Sequence, residues 1–102
     1  MISNHLGPNL MTGKFSFGSV TMRPGMGWGY DCAVVSDPLQ IDEVVGTGTF
    51  FWWGLADTWF WVDPPNDLIL VGMTQRILGR GWPDMEKLSR PLVYQALVKP
   101  RI

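Results

Sequence analysis

Residues 46–76 read GTGTFFWWGLADTWFWVDPPNDLILVGMTQR and hold four of the six tryptophans and three of the five phenylalanines of the chain. Three short apolar runs in this stretch, rich in aromatic and β-branched side chains, favour strands: residues 50–53, 58–62 and 68–74. The links between them are short, and the second, Asp-Pro-Pro-Asn-Asp, has the composition of a turn. The stretch therefore predicts an antiparallel meander.

The strands of this meander are apolar on both faces. Strand alternation places Trp59 and Trp61 on one face of the second strand, and Phe60 and Val62 on the other. A strand with one face in water alternates apolar and polar side chains, and residues 68–73 do not. The sheet therefore needs cover on both sides.

The remaining elements complete an α+β domain. Residues 28–36 predict a fourth strand, and residues 82–102 read as helical, with Ser89 as the N-cap and Pro91 in the first turn. One apolar stripe follows helical spacing along this segment: Leu88, Leu92, Val93, Ala96 and Leu97. We expect a single domain over residues 1–102, with a meander sheet of about four strands and a C-terminal helix packed on one face.

One helix leaves the second face of such a sheet open. A helix of about 10 residues is about 15 Å long, and a four-stranded sheet is about 19 Å across. The helix covers one face and not both, and an open face with several large aromatic side chains is typical of an interface. We expect the missing layer to come from a second copy of this chain or from another chain.

Composition excludes several classes of function. The chain is 46% hydrophobic and 17% charged, with a net charge of −1, so it lacks the basic footprint of nucleic-acid or acidic-membrane binding. A single cysteine, Cys32, forms no internal disulfide. No apolar segment reaches the roughly 18 residues of a membrane span. The N-terminus lacks the pattern of a signal peptide, so we expect a cytoplasmic location by default.

Few residues of the chain are candidates for catalysis or metal binding. His5 is the only histidine, so a catalytic triad or a histidine-rich metal site would have to be built on it, and a surface histidine is the simpler interpretation. Cys32 lies in an apolar segment, where a buried inert thiol is the rule. Asp57, Asp63 and Asp67 flank turns, which explains them better than paired-carboxylate catalysis. We expect no metal site and no cofactor.

The motifs of the segment from residue 26 to residue 98 resemble the C-terminal part of the serine β-lactamase and penicillin-binding-protein-like family, especially its esterase branch. Gly27-Trp28-Gly29-Tyr30, followed by an apolar run and Asp37-Pro38, is similar to the family's glycine-tyrosine-glycine strand ending in Asp-Pro. Residues 48–54, 58–64 and 68–75 resemble its next three strands, the last with a Met-Thr-Gln ending, and residues 89–98 resemble its C-terminal helix.

This resemblance implies a third active-site box at Trp52-Trp53-Gly54, where the esterase branch often has Trp-x-Gly. The backbone N–H that follows the box, here that of Leu55, would donate to the oxyanion of an acyl-transfer intermediate. Trp53 departs from the pattern, because the family has a small residue there. The catalytic residues are absent: no serine of the chain precedes a lysine by three positions, neither Tyr30 nor Tyr94 lies in a second box, and the helical domain is missing.

Three hypotheses follow. The first is a stand-alone or truncated β-lactamase-like segment, inactive by itself, which forms a homo-oligomer through a sheet face bearing Trp59, Phe60 and Trp61. The second is one half of a split serine esterase or β-lactamase, active only with a partner chain that carries Ser-x-x-Lys and the helical domain. The third is a small-ligand or sugar-binding module that uses Trp52, Trp53 and Trp59.

Overall fold

The computed structural model describes residues 2–5, 15–17, 20–22, 24–77 and 83–101. In this part of the chain, five strands form one antiparallel meander sheet in which each strand pairs with the next in sequence. They are β3 (Met26–Trp28), β4 (Ala33–Val35), β5 (Phe50–Trp53), β6 (Thr58–Asp63) and β7 (Leu68–Met73). Two further strands, β1 (Phe15–Phe17) and β2 (Val20–Met22), pair with each other in a separate ribbon.

The described residues form two α-helices and one 3-10 turn beside these strands. The short helix α1 (Pro38–Ile41) follows β4, and its N-cap Asp37 accepts a hydrogen bond from the Leu39 backbone N–H. The 3-10 turn (Pro64–Asn66) links β6 to β7, and α2 (Met85–Gln95) ends the fold. The predicted α+β class, the antiparallel meander and the C-terminal helix are therefore confirmed.

The predicted number of strands was one too few, because residues 28–36, predicted as a single strand, contain the end of β3, a turn and β4. The Gly29 backbone N–H donates to the Cys32 carbonyl at 2.9 Å, which closes a turn with Tyr30 and Asp31 exposed at its tip. The chain reverses there and Met26 pairs with Val35. The apolar run of the segment hides this turn, since it contains no proline or Asn-Gly signal.

The core lies on one face of the sheet. Along β6, Trp59, Trp61 and Asp63 are buried, whereas the alternate residues are only half-buried. The register places Phe51 of β5 opposite Trp61, so their side chains share this face. Helix α2 covers it, because the Arg90 guanidinium lies over the rings of Phe51 and Trp61, 4.7 and 5.8 Å from their centroids.

The N-cap of helix α2 lies five residues earlier than predicted. It is Asp84, whose carboxylate accepts a hydrogen bond from the Lys87 backbone N–H, and not Ser89, whose hydroxyl instead donates to the Glu86 carbonyl. Pro91 consequently lies inside the helix rather than in its first turn. Asp84 can cap this helix because a carboxylate satisfies the free N–H groups of the first turn as well as a serine hydroxyl does.

Only part of the predicted apolar stripe faces the core, because Val93 and Leu97 pack against it and the others do not. Arg90 and Tyr94 are the buried residues of the helix, whereas Leu88 and Leu92 are 53% and 66% exposed. Arg90 is held by ion pairs with Glu86 and with Glu43, the latter at 3.2 Å. A buried arginine is tolerated because its charge is paired and its flat group stacks on aromatic rings.

Asp63 joins four parts of the chain at the end of β6. Its carboxylate is fully buried and accepts hydrogen bonds from the Gly46 backbone N–H at 2.8 Å, from the Asn66 side chain at 2.8 Å and from the Tyr94 hydroxyl. Asn66 in turn holds the Arg101 backbone through both groups of its side-chain amide. These bonds fix α2 and the chain after it against the sheet. Burial raises the pKa of the Tyr94 hydroxyl, and the neighbouring Asp63 carboxylate raises it further.

Gly72 of β7 lies directly opposite Trp59 and lets the indole ring lie against the strand. A Cβ atom at Gly72 would overlap two ring atoms of Trp59. Any side chain here therefore displaces a core tryptophan.

We predict that Gly72→Ala destabilises the fold by about 1–3 kcal/mol, because the added methyl group overpacks the Trp59 ring. Urea unfolding followed by tryptophan fluorescence measures the change in the free energy of unfolding. Leu92→Ala, on the exposed face of α2, is the control and should stay within about 0.5 kcal/mol of the unsubstituted chain. Equal stability of the two variants would contradict this packing.

Candidate functional site

The turn between β5 and β6 is built by Gly54, Leu55, Ala56 and Asp57. The Asp57 backbone N–H donates to the Gly54 carbonyl at 3.1 Å, and the Gly54 N–H donates to the Thr58 carbonyl at 2.8 Å. Asp57 has a left-handed backbone with φ of 62°. This arrangement is typical of a three-residue hairpin loop in which a four-residue turn is followed by a left-handed residue. The predicted tight connection is thus a turn with Leu55 at its second position.

Leu55 presents its backbone N–H at the surface of this turn. Its side chain is 74% exposed, and no acceptor for the Leu55 N–H lies among the residues that the structure describes. The first and last residues of the turn, Gly54 and Asp57, use their own N–H groups within the hairpin. A donor left open beside two bonded ones is available to an oxygen of a bound molecule.

Trp52 and Trp53, the first two residues of the predicted box, end strand β5 next to this donor. Both are half-buried and stack on each other with ring centroids 4.6 Å apart. Trp28 of β3 packs edge-on against Trp52 at 4.8 Å, and Phe51 stacks on Trp53 at 6.0 Å. The Trp53 ring therefore packs against aromatic neighbours of its own strand.

The three residues predicted as an interface lie on opposite faces of the sheet. Trp59 and Trp61 belong to the core face, where they are 8% and 0% exposed. Both are therefore covered within the single chain, because α2 packs on that face, and Trp59 offers little surface to a ligand. Phe60 lies on the other face and is half-buried. Of the three residues, only Phe60 lies on the face opposite the core.

A row of apolar side chains along β7 continues that face. Ile69, Val71 and Met73 are 69%, 63% and 80% exposed, and the register places Val71 beside Phe60 and Ile69 beside Val62. These residues, Phe60, Val62, Ile69, Val71 and Met73, form the feature that we call the open face. Its apolar character was visible in the sequence, but its location on β7 required the register.

A buried ion pair fastens the β5–β6 turn to the chain after β7. The Asp57 carboxylate is 2% exposed, and its Oδ2 accepts hydrogen bonds from the Thr74 hydroxyl and from Arg76 Nε, both at 2.8 Å. The Thr74 backbone N–H also donates to the Asp57 carbonyl at 3.2 Å. Burial acts to raise the pKa of Asp57, but these hydrogen bonds and the Arg76 charge outweigh it and hold that pKa below its usual range. This network holds the turn that presents Leu55.

The other groups with potential chemistry lie apart from this turn. His5 stacks on the ring of Tyr30 at 4.5 Å. Cys32 is a free, buried thiol whose pKa is raised by burial, which disfavours the reactive thiolate. Within the described residues, no group of three or more His, Cys, Asp or Glu side chains is arranged to hold a metal ion. Over the same residues, none of the helices has the length and apolar character needed to cross a membrane.

The sequence shares one segment with two curated mycobacterial proteins. "Uncharacterized protein MT1414" of Mycobacterium tuberculosis (strain CDC 1551 / Oshkosh) and "Protein Rv1367c" of Mycobacterium tuberculosis (strain ATCC 25618 / H37Rv) are each 37% identical to this chain over 65 residues. The match covers 61% of this chain but only 16% of each relative. No family model matches the sequence.

We predict that Asp57→Asn lowers the free energy of unfolding at pH 7 by about 1–3 kcal/mol, since the charged partner of Arg76 is lost. Asn tolerates the left-handed backbone, so the substitution tests the charge and not the turn. The lowered pKa means that the carboxylate stabilises the fold above about pH 4, and that this contribution is lost as the pH falls through the folded-state pKa.

Urea unfolding between about pH 7 and pH 2 measures both effects. The unsubstituted chain should lose more stability than Asp57→Asn on acidification, so that the difference between them shrinks. A difference that is constant across this range would contradict the charged interaction.

Proposed function

We propose that this chain is a β-lactamase-like sheet-and-helix unit that has no catalytic nucleophile of its own and associates with a second copy through its open face. The observation that carries the proposal is the row of Ile69, Val71 and Met73, whose side chains are mostly exposed on a strand without a charged residue. Large apolar patches of this kind on a folded domain are typical of association surfaces.

The order of the motifs supports the origin of the unit. Strands β5, β6 and β7, which correspond to the three segments that resemble strands of the family, pair consecutively in an antiparallel meander, and α2 follows them. The family resemblance implies this order of elements, which is that of the C-terminal part of a serine β-lactamase-like hydrolase. The matched relatives also carry the aligned segment as 16% of a longer chain.

The lack of a nucleophile follows from the residues available. The sequence holds no Ser-x-x-Lys, and the one thiol, Cys32, is buried with a raised pKa. The one histidine, His5, stacks on the ring of Tyr30. An acyl-transfer reaction needs an activated nucleophile as well as an oxyanion donor, so the turn at Leu55 is insufficient alone.

Association is favoured by the area it removes from water. Moving one side chain of this size from exposed to buried contributes about 1.5–3 kcal/mol, and the open face holds three such residues on each copy. The cost of bringing two copies together is of order 4–15 kcal/mol. Burial of both rows is therefore comparable with that cost, and Phe60 and Val62 add to it.

A second candidate function is one half of a split serine hydrolase. The observation that favours it is the open N–H of Leu55, which lies at the position where the resemblance expects an oxyanion donor. A partner chain bearing Ser-x-x-Lys and a helical domain would supply the nucleophile and would cover the open face. Association and catalysis would then use adjacent surfaces of the same sheet.

We predict that Ile69→Lys weakens self-association of the chain by more than 100-fold. Each copy loses about 1.5–3 kcal/mol of apolar burial, hence about 3–6 kcal/mol for the pair. Sedimentation equilibrium measures the dissociation constant. Leu92→Lys is the matched control, because Leu92 has a similar exposure of 66% but lies on α2. Unchanged association of Ile69→Lys, or an equal loss in both variants, would contradict the role of the open face.

The split-hydrolase candidate has its own test at Leu55. Proline suits the second position of this turn and lacks an N–H, so Leu55→Pro removes the donor and keeps the hairpin. In a mixture with a Ser-x-x-Lys chain that hydrolyses a nitrophenyl ester, we expect Leu55→Pro to lower the rate by about 100- to 1000-fold. Leu55→Ala keeps the donor and should retain the rate. A mixture without hydrolysis, or a proline variant with full activity, would reject this candidate.

A further inference from the structure

Strand β7 is the last strand of the sheet, so one of its edges has no neighbouring strand among the described residues. Its six residues, Leu68–Met73, include no proline and no charged side chain. Natural sheets shield such edges with charges, prolines or bulges, because a long apolar edge is a template for pairing with another strand. This edge has none of these devices.

The alternation of hydrogen-bonded and non-hydrogen-bonded residue pairs shows which backbone groups of β7 point away from the sheet. In an antiparallel ladder, opposite residues alternate between pairs that exchange hydrogen bonds and pairs that do not. The Gly54 N–H donates to Thr58, so in the β5–β6 register the next hydrogen-bonded pair is Trp52 with Phe60. The intervening residues of β6, Trp59 and Trp61, therefore direct their backbone groups toward β7.

The β6–β7 register extends this alternation to the edge. Trp61 lies opposite Leu70, and Trp59 lies opposite Gly72, so these residues of β7 bond to β6. The hydrogen bond from the Thr74 N–H to the Asp57 carbonyl continues the same register in the same phase. The residues between them, Ile69, Val71 and Met73, direct their backbone N–H and carbonyl groups away from β6.

The residues with outward backbone groups are the residues whose side chains form the exposed row. Ile69, Val71 and Met73 thus present unpaired ladder donors and acceptors together with 69%, 63% and 80% exposed side chains. No described residue bonds to the outer edge of β7. An incoming strand would satisfy the backbone and partly cover the side chains at once.

We propose that β7 pairs antiparallel with β7 of a second copy across a two-fold axis at Val71. In this register Val71 lies opposite its own symmetry mate, and Ile69 lies opposite Met73 of the second copy. All of these residues have outward backbone groups, so each opposed pair exchanges both of its hydrogen bonds. The inference rests on the proposed self-association and places its contact at the edge of the open face. The two sheets then form one continuous sheet, in which the side chains of Ile69 and Met73 of the two copies cover each other.

A second copy fits this edge because the register is compatible with itself. A two-fold interface uses the same surface on both partners, so a charged residue on β7 would lie close to the same charge of the second copy. Leu68–Met73 carries no charge, and Asp67 before it lies opposite Gln75 of the second copy, so no like charges are opposed. The side chains of Ile69 and Met73 come into contact on the open face from the two chains.

Disulfide trapping tests the register directly. Opposite residues of a hydrogen-bonded pair have Cα atoms about 5.5 Å apart, within the range of a disulfide. Under mild oxidation, Val71→Cys should give a covalent dimer on a non-reducing gel, with mass spectrometry mapping the bond to the substituted position of both copies. In the same register the two Ile69 positions are about 14 Å apart, so Ile69→Cys should not cross-link. The unsubstituted chain, with only buried Cys32, should stay uncross-linked.

A proline substitution tests the edge hydrogen bonds. Val71→Pro deletes an outward N–H and leaves the β6–β7 ladder intact, as tolerated on edge strands. We expect its dissociation constant to rise at least ~10-fold, because each of the two strands loses the hydrogen bond that its Val71 N–H donates to the other strand. Val71→Ile, which keeps the donor, should associate like the unsubstituted chain. Thermal unfolding followed by circular dichroism checks that both variants fold.

The outcomes separate this inference from the proposed function. A dimer that survives Val71→Pro and gives no Val71→Cys cross-link, but is lost in Ile69→Lys, packs through the open face alone, which overturns edge pairing and keeps self-association. Cross-linking of Ile69→Cys but not of Val71→Cys rejects the register. A chain that is monomeric in every variant, or that pairs only with a different protein, overturns both.

Discussion

A sheet with apolar side chains on both faces needs two layers of cover, and the rest of this structure depends on that constraint. Helix α2 supplies one layer, over Phe51 and Trp61. The other face carries Phe60 and Val62 beside the exposed row on β7. The proposed association and the open edge of β7 both lie on or beside the face that the described residues leave uncovered.

Buried charges at the connections hold the single covering layer in place. Asp63 binds α2 through Tyr94, and Arg90 joins α2 to the loop after α1 through Glu43. Asp57 fixes the β5–β6 turn to Arg76. Each has more than one polar partner, which offsets the cost of burial. The hairpin, the helix and the loops are therefore positioned by polar contacts and the sheet by apolar packing.

The sequence predicted the parts of the fold that have a clear local composition. β5, β6 and β7 follow from short aromatic and β-branched runs separated by turn residues, and their register then explains why Trp59 and Trp61 are buried while Phe60 is not. The turn after Gly29 and the start of α2 at Asp84 were missed, because neither carries an unambiguous local signal. Arg90 was missed as a core residue, since only the positions of Glu43 and Phe51 in space make its burial favourable.

Sedimentation equilibrium on the purified chain, over a wide range of concentration, tests the central claim most directly. Self-association through the uncovered side of the sheet predicts a reversible, closed dimer, with a molar mass that rises to twice that of the chain and then stays constant. A mass equal to that of one chain at every concentration would contradict the claim, because the exposed row and the outer edge of β7 would then be stable in water without a partner.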